Sequence, residues 1–577
     1  MSEPVLRRAH PALRAPFNIW DLVALALILG VFIAFTHGAH GTFAPLKSLV
    51  KNPISLDPWR LPEYAVRTSL RMIGGMVASL VFTLGYAALA AKSRHAEMVL
   101  IPLLDILQSV PVLAFLTITL TWFMALAPNS VLGAEFASVF LVFTAQAWNM
   151  TFSFYQSLKT IPADLDEAAR AFGLTPWQKF WRLEAPYGAP ALIWNMMMSM
   201  AGGWFFVIAS EAFTVGVTNV NLPGVGAYIA AANDKQDFTA IGWAVLTMAL
   251  TILFFDQLFF RPLVAWSEKF HVELTAAADP PRSWVLDMLR RTRLMARVGR
   301  PLGEAVRRLA SLRIRTTTPP RALALSGTAQ RTFDVVWIAL ILVLVIFAAR
   351  EIVDFVARTL TWADLWHAVA LGFLTLARVV VLIALASLVW TPVGVWIGLR
   401  PKIAERVQPV AQFLAAFPVN LLYGLVVSGI IAGGLDPNIF LSPLMILGTQ
   451  WYILFNVIAG ASAFPTDLKQ AASSFGVKGW QWWRTVIGPG ILPYFVTGAL
   501  TASGGAWNAA IVSEVASWGD KHLRAAGLGA YIADASTAGD LPRVVLGVAV
   551  MSVFVVALNR TVWRPLYGLA ERRFRFD

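Results

Sequence analysis

Two polar segments of matched composition interrupt an otherwise apolar chain. The first reads Glu167-Ala168-Ala169, then Gly173, then Pro186; the second reads Gln470-Ala471-Ala472, then Gly476, then Pro489. A carboxylate or amide beside two alanines supplies neither a nucleophile nor a set of metal ligands. It supplies a polar group next to a small-residue surface that another protein can approach closely. In the first segment Asp164 is a candidate N-cap, Gly173 a helix stop, Thr175 a second N-cap and Pro176 the first residue of a second helix. The pattern therefore predicts two short helices joined at a glycine. Such a hairpin is too short and too polar to cross a bilayer, so its natural use is contact with a protein beside the membrane.

A second group of polar and aromatic residues lies in or near apolar runs: Trp204, Glu211, Trp507, Asn508 and Glu514. A carboxylate inside a membrane span is costly and faces a bundle interior or a water-filled cavity. These five are accordingly the candidates for a substrate pathway. Each also has an ordinary reading: a carboxylate at a helix end caps a loop, a buried aromatic packs, and an asparagine joins two helices by a hydrogen bond. Catalytic constellations are missing. The sequence has no Gly-x4-Gly-Lys-Ser/Thr loop and no His-Glu-x-x-His helix, its seven histidines are scattered, and it has no cysteine. No catalytic residue and no metal site is assigned, and the chain is read as a non-enzyme.

The elements that must position these residues follow from composition. Of 577 residues 58% are apolar and 14% charged, with mean hydropathy +0.65; a soluble domain carries about 25% charge. Runs such as Leu22–Ala34 and Val335–Ala349 are apolar on both faces, which excludes the alternating pattern of an outer-membrane barrel. The fold class is an all-α polytopic membrane protein of about 12 transmembrane helices. Spans are predicted near 19–36, 66–91, 99–126, 133–157, 187–212 and 239–262, then near 331–349, 364–397, 405–433, 437–460, 490–515 and 541–562. Trp20–Ala34 is read as a retained first helix, since no small-residue cleavage site follows it.

Lys plus Arg exceeds Asp plus Glu by 13, but the excess clusters in loops, which reads as membrane topology and not as nucleic-acid binding. Residues 268–331 form a basic linker, which the positive-inside rule places in the cytoplasm. Arg7, Arg8 and Arg14 at one end, and Arg572, Arg573 and Arg575 at the other, put both termini on the same side. Lys47, Lys51 and Arg60 fall on the external side.

The chain also repeats itself. Thr68, Arg71, Pro102 and Pro111 recur 307 positions later as Thr375, Arg378, Pro409 and Pro418. From Trp148 onward the shift is 303, pairing Trp177 with Trp480, Trp204 with Trp507 and Glu211 with Glu514. An even number of spans per copy gives both copies one orientation, related by an axis along the membrane normal. The expected organisation is a fused pseudo-dimer: residues 1–267, the linker 268–331, and residues 332–577.

The spacing of Glu167-Ala168-Ala169, Gly173 and Pro186 resembles the EAA loop of ABC-importer permeases, in which a glutamate–alanine–alanine triplet precedes a glycine and a distal proline. The second copy carries Gln470 at the glutamate position. Gly203-Trp204 through Ser210-Glu211 and Gly224-Val225-Gly226, with Trp507 through Ser513-Glu514 and Gly527-Leu528-Gly529, resemble the nitrate/sulfonate/taurine branch of that family. The resemblance covers roughly 68–270 and 375–574.

It implies two tandem six-helix type I importer-like units whose loops, Glu167, Ala168, Ala169 and Gly173 with Gln470, Ala471, Ala472 and Gly476, couple to ATPases. The implied function is the transmembrane subunit of an ATP-driven importer for a small solute, a small anion such as nitrate, bicarbonate, sulfonate or taurine. The implied partners are two cytoplasmic ABC ATPase subunits, carrying ATP and magnesium that this chain does not bind, and a periplasmic or lipid-anchored substrate-binding protein. The implied location is the bacterial inner membrane. The rival reading is a secondary transporter with two parallel six-helix halves, which would need no EAA-like loop in each half.

Overall fold

The computed structural model describes residues 19–39, 45, 53–128, 130–215, 218–270, 283–313 and 327–574. Arg7, Arg8, Arg14, Lys47, Lys51 and Arg575, on which part of the topology rests, lie outside them, as do 271–282 and 314–326 of the linker. The first copy contains α1 (Ile19–Ala39), α2 (Leu61–Lys92), α3 (Arg94–Ser109), α4 (Ala114–Leu126), α5 (Val131–Lys159), α6 (Ala163–Ala171), α7 (Ala185–Glu211), α8 (Val225–Asp234) and α9 (Phe238–Phe255). The linker contributes α10 (Trp284–Arg291) and α11 (Arg293–Ser311). The second copy follows as α12 (Gly327–Ala357), α13 (Trp362–Gly398), α14 (Pro401–Ala416), α15 (Tyr423–Ala432), α16 (Gln450–Ser462), α17 (Thr466–Ser474), α18 (Gly488–Ser513), α19 (Leu528–Ala538), α20 (Leu541–Leu558) and α21 (Arg564–Phe574).

Among the described residues, eight helices are long and apolar enough to cross a membrane, and two bent pairs in the second copy raise that to ten. The twelve expected from the sequence would also need α1, whose apolar part Trp20–Thr36 is shorter than these, and the broken α3–α4 pair. The chain is thus an all-α polytopic membrane protein.

Three of the expected single helices are broken. The span expected at 99–126 parts between Ser109 and Ala114, and the one at 405–433 parts at Phe417–Pro418 with a bend of 70°. Proline explains both. Pro111 and Pro418 lack an N–H, and each pushes the preceding residue out of the helical region: Val110 sits at φ −80°, ψ 132° and Phe417 at φ −71°, ψ 122°. The span expected at 437–460 is bent by 43° between Leu447 and Gln450. Two β-hairpins that hydrophobic periodicity does not reveal follow α7 and α18: β1 (Ala212–Val215) pairs with β2 (Thr218–Asn221), and β3 (Val515–Trp518) with β4 (Lys521–Arg524), both antiparallel.

Packing divides the chain into two units. One comprises 1–37, 161–193 and 254–320, and so holds α1, the first polar hairpin and the linker helices; the other comprises 38–160, 194–253 and 321–577. In the larger unit α2 lies along α5, with Thr83 and Thr151 hydroxyls 3.0 Å apart in their interface. There α13, α16 and α18 surround a core built on Val379, Ile453, Val457, Val496, Ala502 and Trp507.

Candidate functional site

The repeated pairs Thr68/Thr375, Arg71/Arg378 and Glu211/Glu514 converge on two buried clusters. In the first, the Arg71 guanidinium donates to Glu135 through Nε and Nη2, at 2.6 and 2.7 Å, and to Glu211 Oε1 through Nη1 at 2.6 Å. Thr68 Oγ1 donates to Glu211 Oε1 at 2.7 Å, while the backbone N–H of Gly226 donates to Glu211 Oε2 at 2.6 Å and that of Val225 to Thr68 Oγ1 at 3.0 Å. Arg71 is 2% exposed and Glu211 fully buried. The ends of α2, α5 and α7 and the start of α8 are therefore tied together at one point.

The second cluster repeats the plan with one change. Thr375 Oγ1 and Arg378 Nη1 donate to Glu514 Oε1 at 2.8 and 3.1 Å, and the N–H groups of Ala530 and Leu528 donate to Glu514 Oε2 and Thr375 Oγ1. The place that Glu135 takes beside Arg71 is taken beside Arg378 by Asn438, whose Oδ1 lies 3.5 Å from Arg378 Nη2 and accepts from Ala526 N at 2.8 Å. A glycine precedes α8 and α19 in each copy because the carboxylate leaves no room: a Cβ at Gly224 or Gly527 would lie 2.2–2.4 Å from the carboxylates of Glu211 or Glu514. Sequence reading singled out the glutamates and the recurring Thr and Arg separately. Their pairing across about 140 residues needed the fold.

Trp204 and Trp507 are buried at 2% and 1% exposure, and Trp507 stacks on Phe554 with ring centroids 6.2 Å apart. Asn508 instead reaches the helix break of the other copy. Its Oδ1 accepts from Val112 N at 2.5 Å, satisfying a donor that Pro111 frees from the α3–α4 ladder. The second copy's break reciprocates: Asn420 Nδ2 donates to Phe205 O on α7 at 3.2 Å. The two broken helices and the two copies of this long helix thus meet crosswise, with unwound backbone at the meeting point. Broken spans of this kind survive in a membrane only where protein or a water-lined cavity satisfies them.

Both polar hairpins form, with Thr175 capping the second helix of the first hairpin and Pro176 opening it as expected. Asp164 is not the N-cap of α6: the helix starts at Ala163, directly after Pro162, and Asp164 lies in its first turn. In the first, Gly173 N donates to Arg170 O and Leu174 N to Ala169 O; in the second, Gly476 N donates to Ser473 O and Val477 N to Ala472 O. This paired arrangement requires a left-handed residue at the stop, and Gly173 and Gly476 sit at φ +62° and +67°. Gly173→Ala is expected to lower hairpin stability by about 1–2 kcal/mol, seen as faster protease cleavage between α6 and Pro176 with no change in the membrane helices.

The alanine pair splits in its exposure. Ala168 and Ala471 face outward, whereas Ala169 and Ala472 are buried within the chain. Glu167 and Gln470 are exposed, and Glu167 has no ion-pair partner among the described residues. Sequence reading passed over the residues beside the glycines, Phe172 and Phe475, which are 83% and 85% exposed. Their recurrence next to each glycine was the available signal.

The hairpins differ in bracing. Asp166 is held by Lys179 and Arg170, which keep its carboxyl below the usual aspartate range, the Lys179 bond first. Because the folded-state value is depressed, this brace is fully present at neutral pH and is lost only as the solution is acidified below about pH 4. The equivalent positions in the second hairpin are Lys469, Ser473 and Trp482, so the brace is missing there.

The linker helix α11 adds to the difference. Trp177 Nε1 donates to Leu309 O at 2.8 Å and Gln178 Nε2 to Ser311 O at 2.9 Å, satisfying carbonyls at its last turn. Trp480, the counterpart of Trp177, is 79% exposed. Trp177→Phe is expected to weaken this joint by about 1 kcal/mol, read as faster proteolysis of residues 283–313.

Duplicated helical units, paired helix breaks and two polar hairpins define a membrane permease. The chain belongs to the family of binding-protein-dependent transport system inner membrane components, whose model matches residues 81–261 and again 390–576, together more than half of the chain. Members are non-enzymatic membrane subunits. The chain is 21% identical over 250 residues to the nitrate import permease protein NrtB of Leptolyngbya laminosa, covering 42% of this chain and 85% of that protein. It is 26% identical over 200 residues to the bicarbonate transport system permease protein CmpB of Synechococcus elongatus, covering 35% and 66%. With the riboflavin transport system permease protein RibX of Chloroflexus aurantiacus it shares 27% identity over 260 residues, covering 43% and 91%. Each of these alignments spans less than half of this chain, as matching one of two fused units requires.

Proposed function

We propose that this chain is the whole transmembrane part of an ATP-driven importer, with units 1–267 and 332–577 joined by the linker 268–331 and enclosing one pathway for a small anion. The observation that carries this reading is the doubling of the family match within one chain, each copy with its own polar hairpin. In this reading the exposed Glu167, Ala168 and Gly173, and Gln470, Ala471 and Gly476, dock two ATPase subunits, with exposed Phe172 and Phe475 as the contact anchors, while the buried Ala169 and Ala472 hold each hairpin from within and do not touch the partner. ATP and magnesium sit on those subunits, and a separate binding protein delivers the solute from the other side of a bacterial inner membrane, with both termini cytoplasmic. Asn508 lies on the pathway at the helix breaks. Trp204 and Trp507 pack behind it, and Glu211 and Glu514 hold the external ends of their helices. The names of the relatives, nitrate and bicarbonate among them, support an anion as cargo.

The test is reconstitution. The chain is placed in proteoliposomes with whichever ATPase and binding protein co-purify with it, and uptake of nitrate, bicarbonate, taurine and riboflavin is measured. ATP-dependent uptake of one anion, with one copy of the 63.1 kDa chain per two ATPases by native mass, is expected. Uptake driven by an ion gradient without ATP would establish the secondary-transporter reading instead.

A further inference from the structure

A cavity of about 310 Å³ lies between α3 of the first copy and the end of α20 in the second, lined by Ile101, Pro102, Ile106, Val556, Asn559, Arg560 and Arg564. Its walls are aliphatic and its rim carries two guanidinium groups one helical turn apart. Alternation of the spans puts this end of α3 and α20 on the membrane face that bears the second polar hairpin, α17.

The repeat supplies an internal comparison. Residues 559–563 form a π-helical turn, and so do their counterparts 256–260 in the first copy. There the equivalents of Asn559, Arg560 and Arg564 are Asp256, Gln257 and Arg261, and Arg261 Nε is closed onto Asp256 Oδ2 at 3.0 Å. The first copy is locally neutral. In the second copy the aspartate has become asparagine and the glutamine arginine, so these three positions carry two arginines and no carboxylate. Arg560 has no carboxylate partner among the described residues, and the buried Oδ1 of Asn559 accepts no hydrogen bond within the chain. A buried acceptor left without a donor is costly.

We propose that this cavity binds the headgroup of an anionic glycerophospholipid from the adjacent leaflet. The phosphate diester sits between Arg560 and Arg564, a headgroup hydroxyl donates to Asn559 Oδ1, and the first acyl methylenes lie against Ile101, Ile106 and Val556. Basic pockets between membrane helices on this face attract anionic headgroups, with about 1 kcal/mol from each arginine near the surface. The apolar walls favour a lipid over a dissolved phosphate ester.

The test uses the full chain in detergent, titrated with phosphatidylglycerol, phosphatidylcholine or soluble glycerol phosphate, and bound lipid counted by native mass spectrometry. Phosphatidylglycerol is expected to be retained at least tenfold more strongly than phosphatidylcholine. That preference should vanish in R560Q/R564Q and persist in R261Q. Both arginines are exposed, so the double variant keeps its fold; R560K/R564K, which keeps the charge, should retain most of the preference. Equal retention of the two lipids by the native chain, or an undiminished preference in R560Q/R564Q, would overturn the proposal. Binding of glycerol phosphate that displaces the lipid would overturn the lipid as occupant and assign the site to a soluble phosphate ester.

Discussion

Arg71→Met is expected to cost about 3–5 kcal/mol and to remove most of the folded protein from detergent extracts. The substitution keeps an unbranched, apolar stem but removes the guanidinium, leaving Glu135 and Glu211 in a buried site without the cation that joins them. Removing one partner of a buried ion pair strands the remaining charge, which is what makes such losses large. Arg378→Met should cost less, because it strands the single carboxylate of Glu514 beside the neutral Asn438. The ordering is the sharper part of the expectation. Thermal unfolding of the two variants in the same detergent measures it, and equal losses would mean that Glu135 does not depend on Arg71. Combining Arg71→Met with Glu135→Gln should recover part of the loss.

The second large effect concerns association. Phe172→Asp and Phe475→Asp alter side chains that are 83% and 85% exposed, so the permease itself should change by no more than ~0.5 kcal/mol. If these rings anchor the ATPases, each charge placed in the contact should weaken binding by 2 kcal/mol or more, about thirtyfold. Both single variants should insert normally, lose uptake, and retain the unfolding temperature of the native chain. The Phe172 variant should keep more ATPase than the Phe475 variant, because the first hairpin is held in shape by Asp166–Lys179 and by α11. A double variant that binds the ATPase normally would remove the hairpin tips from the docking surface.

How far the sequence carried the reading differs from feature to feature. The hairpins were legible because their chemistry is local: a glycine forced to positive φ, an N-cap and a proline within 25 residues announce themselves at any position in a fold. The duplication was legible because fixed spacing is a one-dimensional property. The clusters around Glu211 and Glu514 were half legible, since Thr68, Arg71 and their counterparts recur, but nothing local says that an arginine on one helix meets a carboxylate 140 residues away. The helix breaks were hidden by composition, because Val110–Leu113 is as apolar as its flanks and only Pro111 marks the place. The four-residue strands of the two β-hairpins are too short for alternation to register.

Asn438 in place of Glu135 shows what covalent fusion makes available to evolution. When identical subunits pair about a two-fold axis, every substitution is made twice, and no change can be tried on one side alone. Once both copies share a polypeptide that linkage is gone. One cluster here balances its guanidinium against two carboxyl groups and the other against one. A single folded binding protein, such as the one proposed to deliver the solute, has no two-fold symmetry of its own and presents a different face to each half. A fused permease can meet each face with a surface selected for it, and mutations that would be lethal when doubled become separate, testable steps.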